Sequence, residues 1–370
     1  MQVALTMARR HMGMTAPNPS VGCIIVDPGT NRIIGRGVTA KGGRPHAETQ
    51  ALKQAGGTAP GASAYVTLEP CAHEGDTPSC ARSLVGAGVS RVIIATCDPD
   101  PRTAGQGADI LLKAGIEVSE GICEHEAREQ HLGFFSKLLR QRPTVTLKLA
   151  TSLDGRIATH NGSSKWITGP EARRAGHLLR AEHDAILVGS NTALADDPDL
   201  TCRIAGLEDC SPVRVVADGR LRLPLTSKLV TTAATTPTWI LTGSAVGEEQ
   251  VSAFEDTAAE LIQVPETAGN LLDMTKATEI LSQRGITRLL VEGGSRLAAS
   301  LLKDNLVDRL VWFRASLLIG GDGKSALEAL GISDIAMSTR LNLVGQELIG
   351  RDVTETYEIE GATDQLFALN

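Results

Sequence analysis

This sequence predicts two α/β domains in tandem, on three observations. The chain is 370 residues long, more than one hydrophobic core ordinarily organises, so two domains are expected. Short apolar runs alternate with stretches of helical pattern through both halves, as in layered α/β structure. Between the halves, Gln141-Arg142-Pro143 closes a helical stretch. Proline disfavours helix at the residue before it, so the boundary falls there, giving domains over 1–143 and 144–370.

In the first half, strands are expected at VGCIIV (21–26), IIGRGV (33–38), AYVTL (64–68) and RVIIA (91–95). HAETQALKQAG, SCARSLVGAG and ADILLKAG read as helices, each closing on a glycine suited to a helix C-terminus. A further helix runs from about 124 to 140. In the second half, TVTLKLATSLDG (144–155) is a strand entering a turn. AILVG (185–189), VRVVA (213–217), TWIL (238–241), RLLVEGG (288–294) and DRLVWFRASLL (308–318) are further strands, with helices over 170–182, 274–284 and 295–305.

Bulk composition removes several function classes. Aromatics are 3% of the chain, too few for base-stacking platforms, and the net charge of -7 argues against a general phosphate-backbone binder. No nucleic-acid partner is therefore expected. The start, MQVALTMARRHMGM, has no secretory apolar run, and no stretch approaches membrane-span length. Seven cysteines, an odd and unevenly spread number, do not form a disulfide framework. A cytoplasmic chain using thiolates for metal is the reading these facts support.

The first chemical constellation is His46-Ala47-Glu48, Glu69-Pro70-Cys71 and Cys80. One imidazole and two thiolates form a three-ligand zinc set that leaves the fourth position to water, as a catalytic site requires. Zinc lowers the pKa of that water toward neutrality. Glu48, two residues from a ligand, is placed to shuttle a proton, the logic of zinc nucleobase deaminases. Buried cysteines are often inert core residues, and a structural site would seek a fourth ligand, for which His73 is the candidate. Ligand count and the placed glutamate favour the catalytic reading.

The second constellation lacks both a Rossmann fingerprint and a P-loop. It offers Val291-Glu292-Gly293-Gly294-Ser295, a strand end, two glycines and a helix start, which can accept a phosphate but is also an ordinary tight turn. Polar groups around it make no metal site and no nucleophile–base pair. They suit a reductase, in which the cofactor does the chemistry.

The motifs Ala16-Pro17-Asn18-Pro19, Val21-Gly22-Cys23, Pro45-His46-Ala47-Glu48, Thr67-Leu68-Glu69-Pro70-Cys71 and Ala104-Gly105-Gln106-Gly107, with the long loop between Cys71 and Cys80, resemble the deaminase half of the bifunctional riboflavin-biosynthesis deaminase/reductases. The second half resembles their reductase, a domain similar to dihydrofolate reductase, up to about Gly323. The resemblance implies a cytidine-deaminase-like three-layer α/β/α domain followed by a dihydrofolate-reductase-like α/β domain. It implies zinc on His46, Cys71 and Cys80, with Glu48 catalytic and Asn18 and His73 at the substrate. It further implies NADPH held by Ala150, Trp166, Thr192, Asp196, Gly294 and Ser295, and substrate held by Lys148, Ser164, Arg180, Leu200, Arg203 and Glu292. Arg180 and Arg203 are the expected phosphate partners, because a guanidinium fork matches phosphate oxygens. The implied chemistry is deamination of 2,5-diamino-6-(5-phosphoribosylamino)pyrimidin-4-one, then NADPH-dependent reduction of ribosyl to ribityl.

Two positions depart from the family pattern. Asp76 stands where Arg or Lys is usual, and Asp100 where Asn is usual. A carboxylate near a phosphorylated substrate repels it. The competing readings are a deaminase of another base with a repurposed reductase, and a zinc-containing binding protein. An exposed edge in the reductase-like half points to a homodimer or larger homo-oligomer.

Overall fold

The computed structural model describes residues 1–74 and 78–367. Two compact units are present, Met1–Gln141 and the chain from Arg142 onward. No helix among the described residues is long and apolar enough to cross a membrane.

The first unit is built on one five-stranded sheet. Its strands are β1 (Gly22–Asp27), β2 (Arg32–Val38), β3 (Ser63–Val66), β4 (Arg91–Ile94) and β5 (Glu117–Glu120), in the order β2-β1-β3-β4-β5. The first three pair antiparallel and the last three parallel. The helices are α1 (Gln2–Arg9), α2 (Ala47–Ala55), α3 (Cys80–Gly86), α4 (Gln106–Lys113) and α5 (Glu124–Arg140). Residues directly opposite in an antiparallel pair share a face. Cys23 opposes Gly37 and Gly22 opposes Val38, so Gly37 and Gly22 face opposite ways. A Cβ on Gly37 would lie 1.9 Å from the Ala47 carbonyl of α2, and one on Gly22 would lie 2.1 Å from the Ala4 carbonyl of α1. The two helices therefore cover opposite faces of the sheet, which makes three layers. Glycine at 37 is what lets the first turn of α2 lie directly on β2.

The second unit has β6 (Thr144–Ser152), β7 (Arg156–Ala158), β8 (Ala185–Gly189), β9 (Val213–Ala217), β10 (Thr238–Thr242), β11 (Glu260–Gln263), β12 (Arg288–Glu292), β13 (Arg309–Ala315), β14 (Lys324–Ser325), β15 (Leu341–Ile349) and β16 (Asp352–Ile359). Nine of them form one sheet in the order β11-β10-β9-β8-β12-β6-β13-β16-β15, and β7 pairs with β14. The seven strands from β11 to β13 run parallel, with β16 and β15 antiparallel at the edge. Its helices are α6 (Pro170–Ala181), α7 (Ser190–Asp196), α8 (Lys228–Thr231), α9 (Glu248–Ser252), α10 (Met274–Gln283), α11 (Ser295–Lys303) and α12 (Asp364–Phe367).

Both sheet faces are buried, and this explains the unbroken apolar runs in the sequence. Leu187, Val215, Leu241 and Val291 pack with Ala277 and Leu281 of α10 and Leu301 of α11. Their strand neighbours Ile186, Val216, Ile240 and Leu290 pack with Ala193 of α7 and Leu229 of α8. The β15–β16 hairpin departs from the sequence expectations, which placed no strand there. β15 is an edge strand exposed along nearly its whole length, so no apolar alternation marks it. The short β5 and β11 were also not foreseen, each having few buried positions.

Candidate active sites

In the first unit three separate segments converge. His46 is the N-cap of α2, in extended conformation, and Glu48 lies in the first turn. Cys71 follows the end of β3, and Cys80 opens α3, whose N-cap Ser79 accepts the Arg82 N–H at 3.3 Å. His46 Nδ1 lies 3.3 Å from Cys80 Sγ and 3.7 Å from Cys71 Sγ, and the three donor atoms all fall within 4.8 Å of one another. Tetrahedral zinc bonds imply N···S edges of about 3.6 Å, so the spacing fits the ion. The Cys80 backbone N–H also points at Cys71 Sγ, 3.3 Å away. The hydrogen bond from the Cys80 thiol, then those from His46 and the Cys80 backbone, hold the Cys71 thiol below its usual range. That suits a thiolate ligand. His73, the candidate for a fourth protein ligand, is not in this cluster.

Glu48 is 4% exposed, and burial raises its carboxyl above the usual range. It lines a pocket with the ligands His46 and Cys71 and with Asn18, Arg44, His73, Asp98, Asp100 and Arg102. His73 Nδ1 is buried there without a hydrogen-bond partner among the described residues. Asp76 and Thr77 lie outside the described residues.

Glu69 has a part that its place in the motif did not disclose. Its buried carboxylate accepts from the N–H groups of Asp98 (3.2 Å), Gly105 (3.0 Å), Gly107 (2.9 Å) and Ala108 (3.2 Å). It thereby holds the loop that carries Asp98, Asp100 and Arg102 against the metal-ligand segment. Burial pushes the Asp98 carboxyl up to about 7. Only the folded loop shows these residues to belong to the pocket.

In the second unit a cleft is lined by Lys148 and Ala150 of β6, Ser164, Trp166, Arg180 of α6, Arg203 and Glu292. Lys148 and Glu292 sit opposite each other on adjacent strands, with Nζ 3.6 Å from Oε2. Arg180 forks onto Glu292, Nε to Oε1 at 2.7 Å and Nη2 to Oε2 at 2.9 Å, and its Nη1 donates to the Thr201 carbonyl at 3.0 Å. Burial opposes ionisation of Glu292, but the Arg180 and Lys148 charges outweigh it and bring the carboxyl down to about 2. The guanidinium expected to hold phosphate is thus already engaged by protein. Arg203, with its side chain 53% exposed and 3.7 Å from Asp199, is the freer cation.

Trp166 is 66% exposed, and the Arg173 guanidinium stands 4.5 Å from its ring centroid. Of the other expected cofactor residues, Thr192, Gly294 and Ser295 gather at a separate turn. Gly293 and Gly294 have φ of 81° and 89°, which favours glycine, and lead into Ser295 at the start of α11. Cβ atoms built there would meet the Thr192 side chain at 3.2 to 3.5 Å. This turn lies at the carboxyl end of β12, where parallel sheets take ligands. Asp196 ends α7, exposed, and buried Leu200 follows; neither lines the cleft. His177, which sequence reading passed over, does line it. It lies three residues before Arg180, on the same face of α6.

The comparisons with known proteins agree across both units. Residues 1–96 match the cytidine and deoxycytidylate deaminase zinc-binding region, and residues 143–354 match the RibD C-terminal domain. The riboflavin biosynthesis protein RibD of Aquifex aeolicus is 42% identical over 95% of this chain and 96% of its own. The chain belongs to the RibD family. The RibD of Escherichia coli is 39% identical over 95% and 96% of the two chains. Among solved structures, Acinetobacter baumannii RibD superposes with a TM-score of 0.86 at 37% identity, over 97% of each chain. A Thermotoga maritima diaminohydroxyphosphoribosylaminopyrimidine deaminase/5-amino-6-(5-phosphoribosylamino)uracil reductase gives 0.83 at 32%, again over 97% of each. As a RibD protein, the chain is a bifunctional enzyme of riboflavin biosynthesis, with a zinc-binding deaminase domain and an NADPH-dependent reductase domain.

Proposed function

We propose that the domain over 1–143 deaminates 2,5-diamino-6-(5-phosphoribosylamino)pyrimidin-4-one and that the domain over 144–370 reduces the deaminated product. The observation that carries this is the triangle of His46, Cys71 and Cys80 with buried Glu48 beside it. The chemistry supplied by zinc there is Lewis acidity, which brings the pKa of a water toward neutrality. Glu48 takes the proton of the attacking water and returns it to the departing amino group, which leaves as ammonia. Its buried setting excludes bulk water from that transfer. Asn18 and His73 hold the pyrimidine or its ribosyl phosphate.

In the reductase half, NADPH would supply a hydride to the sugar C1. The bond from C1 to the ring oxygen breaks and that oxygen takes up a proton, so ribosyl becomes ribityl. Ala150, Trp166, Thr192, Asp196 and the Gly294-Ser295 turn would hold the cofactor. Ser164, Leu200 and Lys148 contact the substrate, Lys148 at the ribose. Arg203 takes the substrate phosphate, while Arg180 orients Glu292 rather than competing for it.

The same reading includes a cytoplasmic setting and a homodimer or larger homo-oligomer joined through β15, which exposes Leu341, Leu343, Val344 and Leu348 along the sheet edge. The test is metal content together with separate assays of the two substrates. One zinc per chain, ammonia release from the diaminopyrimidine and NADPH oxidation by the deaminated product are expected. Absence of zinc, or turnover of neither pyrimidine, sinks the assignment. Sedimentation of the intact chain as a monomer would remove the β15 contact.

A further inference from the structure

Asp100 places a carboxylate in the wall of the deaminase pocket, and the loop gives it no way out. Its N–H donates to Asp98 Oδ1 at 2.9 Å, and Glu69 ties both ends of the loop through four backbone N–H groups. The Asp100 side chain is 7% exposed. Among the described lining residues four carboxylates, Glu48, Glu69, Asp98 and Asp100, face two guanidinium groups, those of Arg44 and Arg102. Arg102 is bound to Asp100 through both its backbone and its side chain. Asp100 Oδ1 accepts the Arg102 backbone N–H at 3.0 Å, as in an Asx turn. The guanidinium then forks over the carboxylate, Nε at 2.9 and 3.1 Å from the two oxygens and Nη2 at 2.5 Å from Oδ2. The Arg102 side chain remains 67% exposed, at the solvent side of the pair.

We propose that Arg102 is a specificity-determining residue of the deaminase site: locked onto Asp100, it cancels a carboxylate that otherwise faces a phosphorylated substrate. This rests on the deaminase reading above. The pairing is bidentate, which fixes the cation's position as well as its charge. A bare carboxylate a few ångströms from a phosphate in a partly screened pocket weakens binding by on the order of tenfold. Arg102 is the side chain whose removal uncovers that charge.

The test is a double-mutant cycle on the intact zinc enzyme. KM and kcat for the diaminopyrimidine are measured with and without its 5-phosphate, alongside calorimetric binding of the deaminated product in both forms. Arg102→Gln is expected to raise KM, and weaken product binding, about tenfold for the phosphorylated compounds, with kcat held and the dephosphorylated compounds little affected. Asp100→Asn, which removes the carboxylate itself, is expected to lower KM. In that background Arg102→Gln is expected to cost less than threefold. An unchanged KM in Arg102→Gln overturns the proposal. So does an equal loss on both forms, which would make Arg102 a loop-holding residue, or a double variant no better than Arg102→Gln. If the unaltered enzyme neither turns over nor binds the phosphorylated pyrimidine, the functional reading fails instead.

Discussion

The two sites are assembled in opposite ways. In the deaminase unit the reactive groups come in short motifs whose members converge as one donor set. Cys71, Cys80 and His46 crowd a volume the size of an ion, and His73 leaves a buried nitrogen unpartnered among the described residues. In the reductase unit the charged groups are already paired. Arg180 and Glu292, 112 residues apart in sequence, close on each other with two hydrogen bonds, and Lys148 completes the group. The first site is the donor set of a metal; the second is a preformed group of paired charges lining a cleft. Charged residues in one cleft thus differ in the protein partner each already holds.

The largest effect that separates the two is Glu48→Ala. It should lower deamination on the order of a thousandfold, retain one zinc per chain, and leave reduction of the deaminated substrate intact. Loss of both activities would mean that the sites do not work independently.

The second test contrasts Arg180 and Arg203, two of the arginines that line the reductase cleft. All three tryptophans, Trp166, Trp239 and Trp312, lie in the second unit, so tryptophan fluorescence reports that unit's unfolding within the intact chain. Arg180→Ala leaves the Glu292 carboxylate buried beside Lys148 alone and should cost about 3 kcal/mol in urea unfolding. Arg203→Ala should change stability by no more than about 0.5 kcal/mol. Equal costs would erase the distinction drawn between them.

A smaller effect comes with pH. His183 is buried, with Nδ1–H donating to the Leu179 carbonyl and Nε2 accepting from Thr146 Oγ1. Burial first, then the Arg288 charge, bring its ring down to about 3. The folded ring stays neutral while the unfolded one takes a proton below about 6.5, so stability falls as pH falls. Between pH 6.5 and 5 the loss should be about 2 kcal/mol by the same fluorescence. His183→Gln should flatten that slope; an unaltered slope would place its origin elsewhere.

The smallest effect is kinetic. Arg203→Ala should raise the KM of the reduction about tenfold with little change in kcat. An unchanged KM would remove Arg203 from the phosphate site.

How much of this was legible in the sequence follows the same division. His46-Ala47-Glu48 and Pro70-Cys71 declare their chemistry within a few residues, because a metal ligand is defined by its donor atom and the turn that presents it. The parallel strands of the second unit were equally plain, since burial on both faces writes unbroken apolar runs. β15, exposed along its length, left no such trace.

By itself, then, the sequence determined the two-domain α/β plan, the zinc donor set and the glutamate beside it, all properties of residue type and local spacing. Tertiary structure alone decided which charges are spoken for. It closed Arg180 onto Glu292, wrapped Glu69 in four backbone N–H groups from a loop that begins 29 residues further on, and seated Asp100 and Arg102 together in the pocket wall. The physical reason is that a charge's role depends on what neutralises it, and its partner is set by the path of the whole chain.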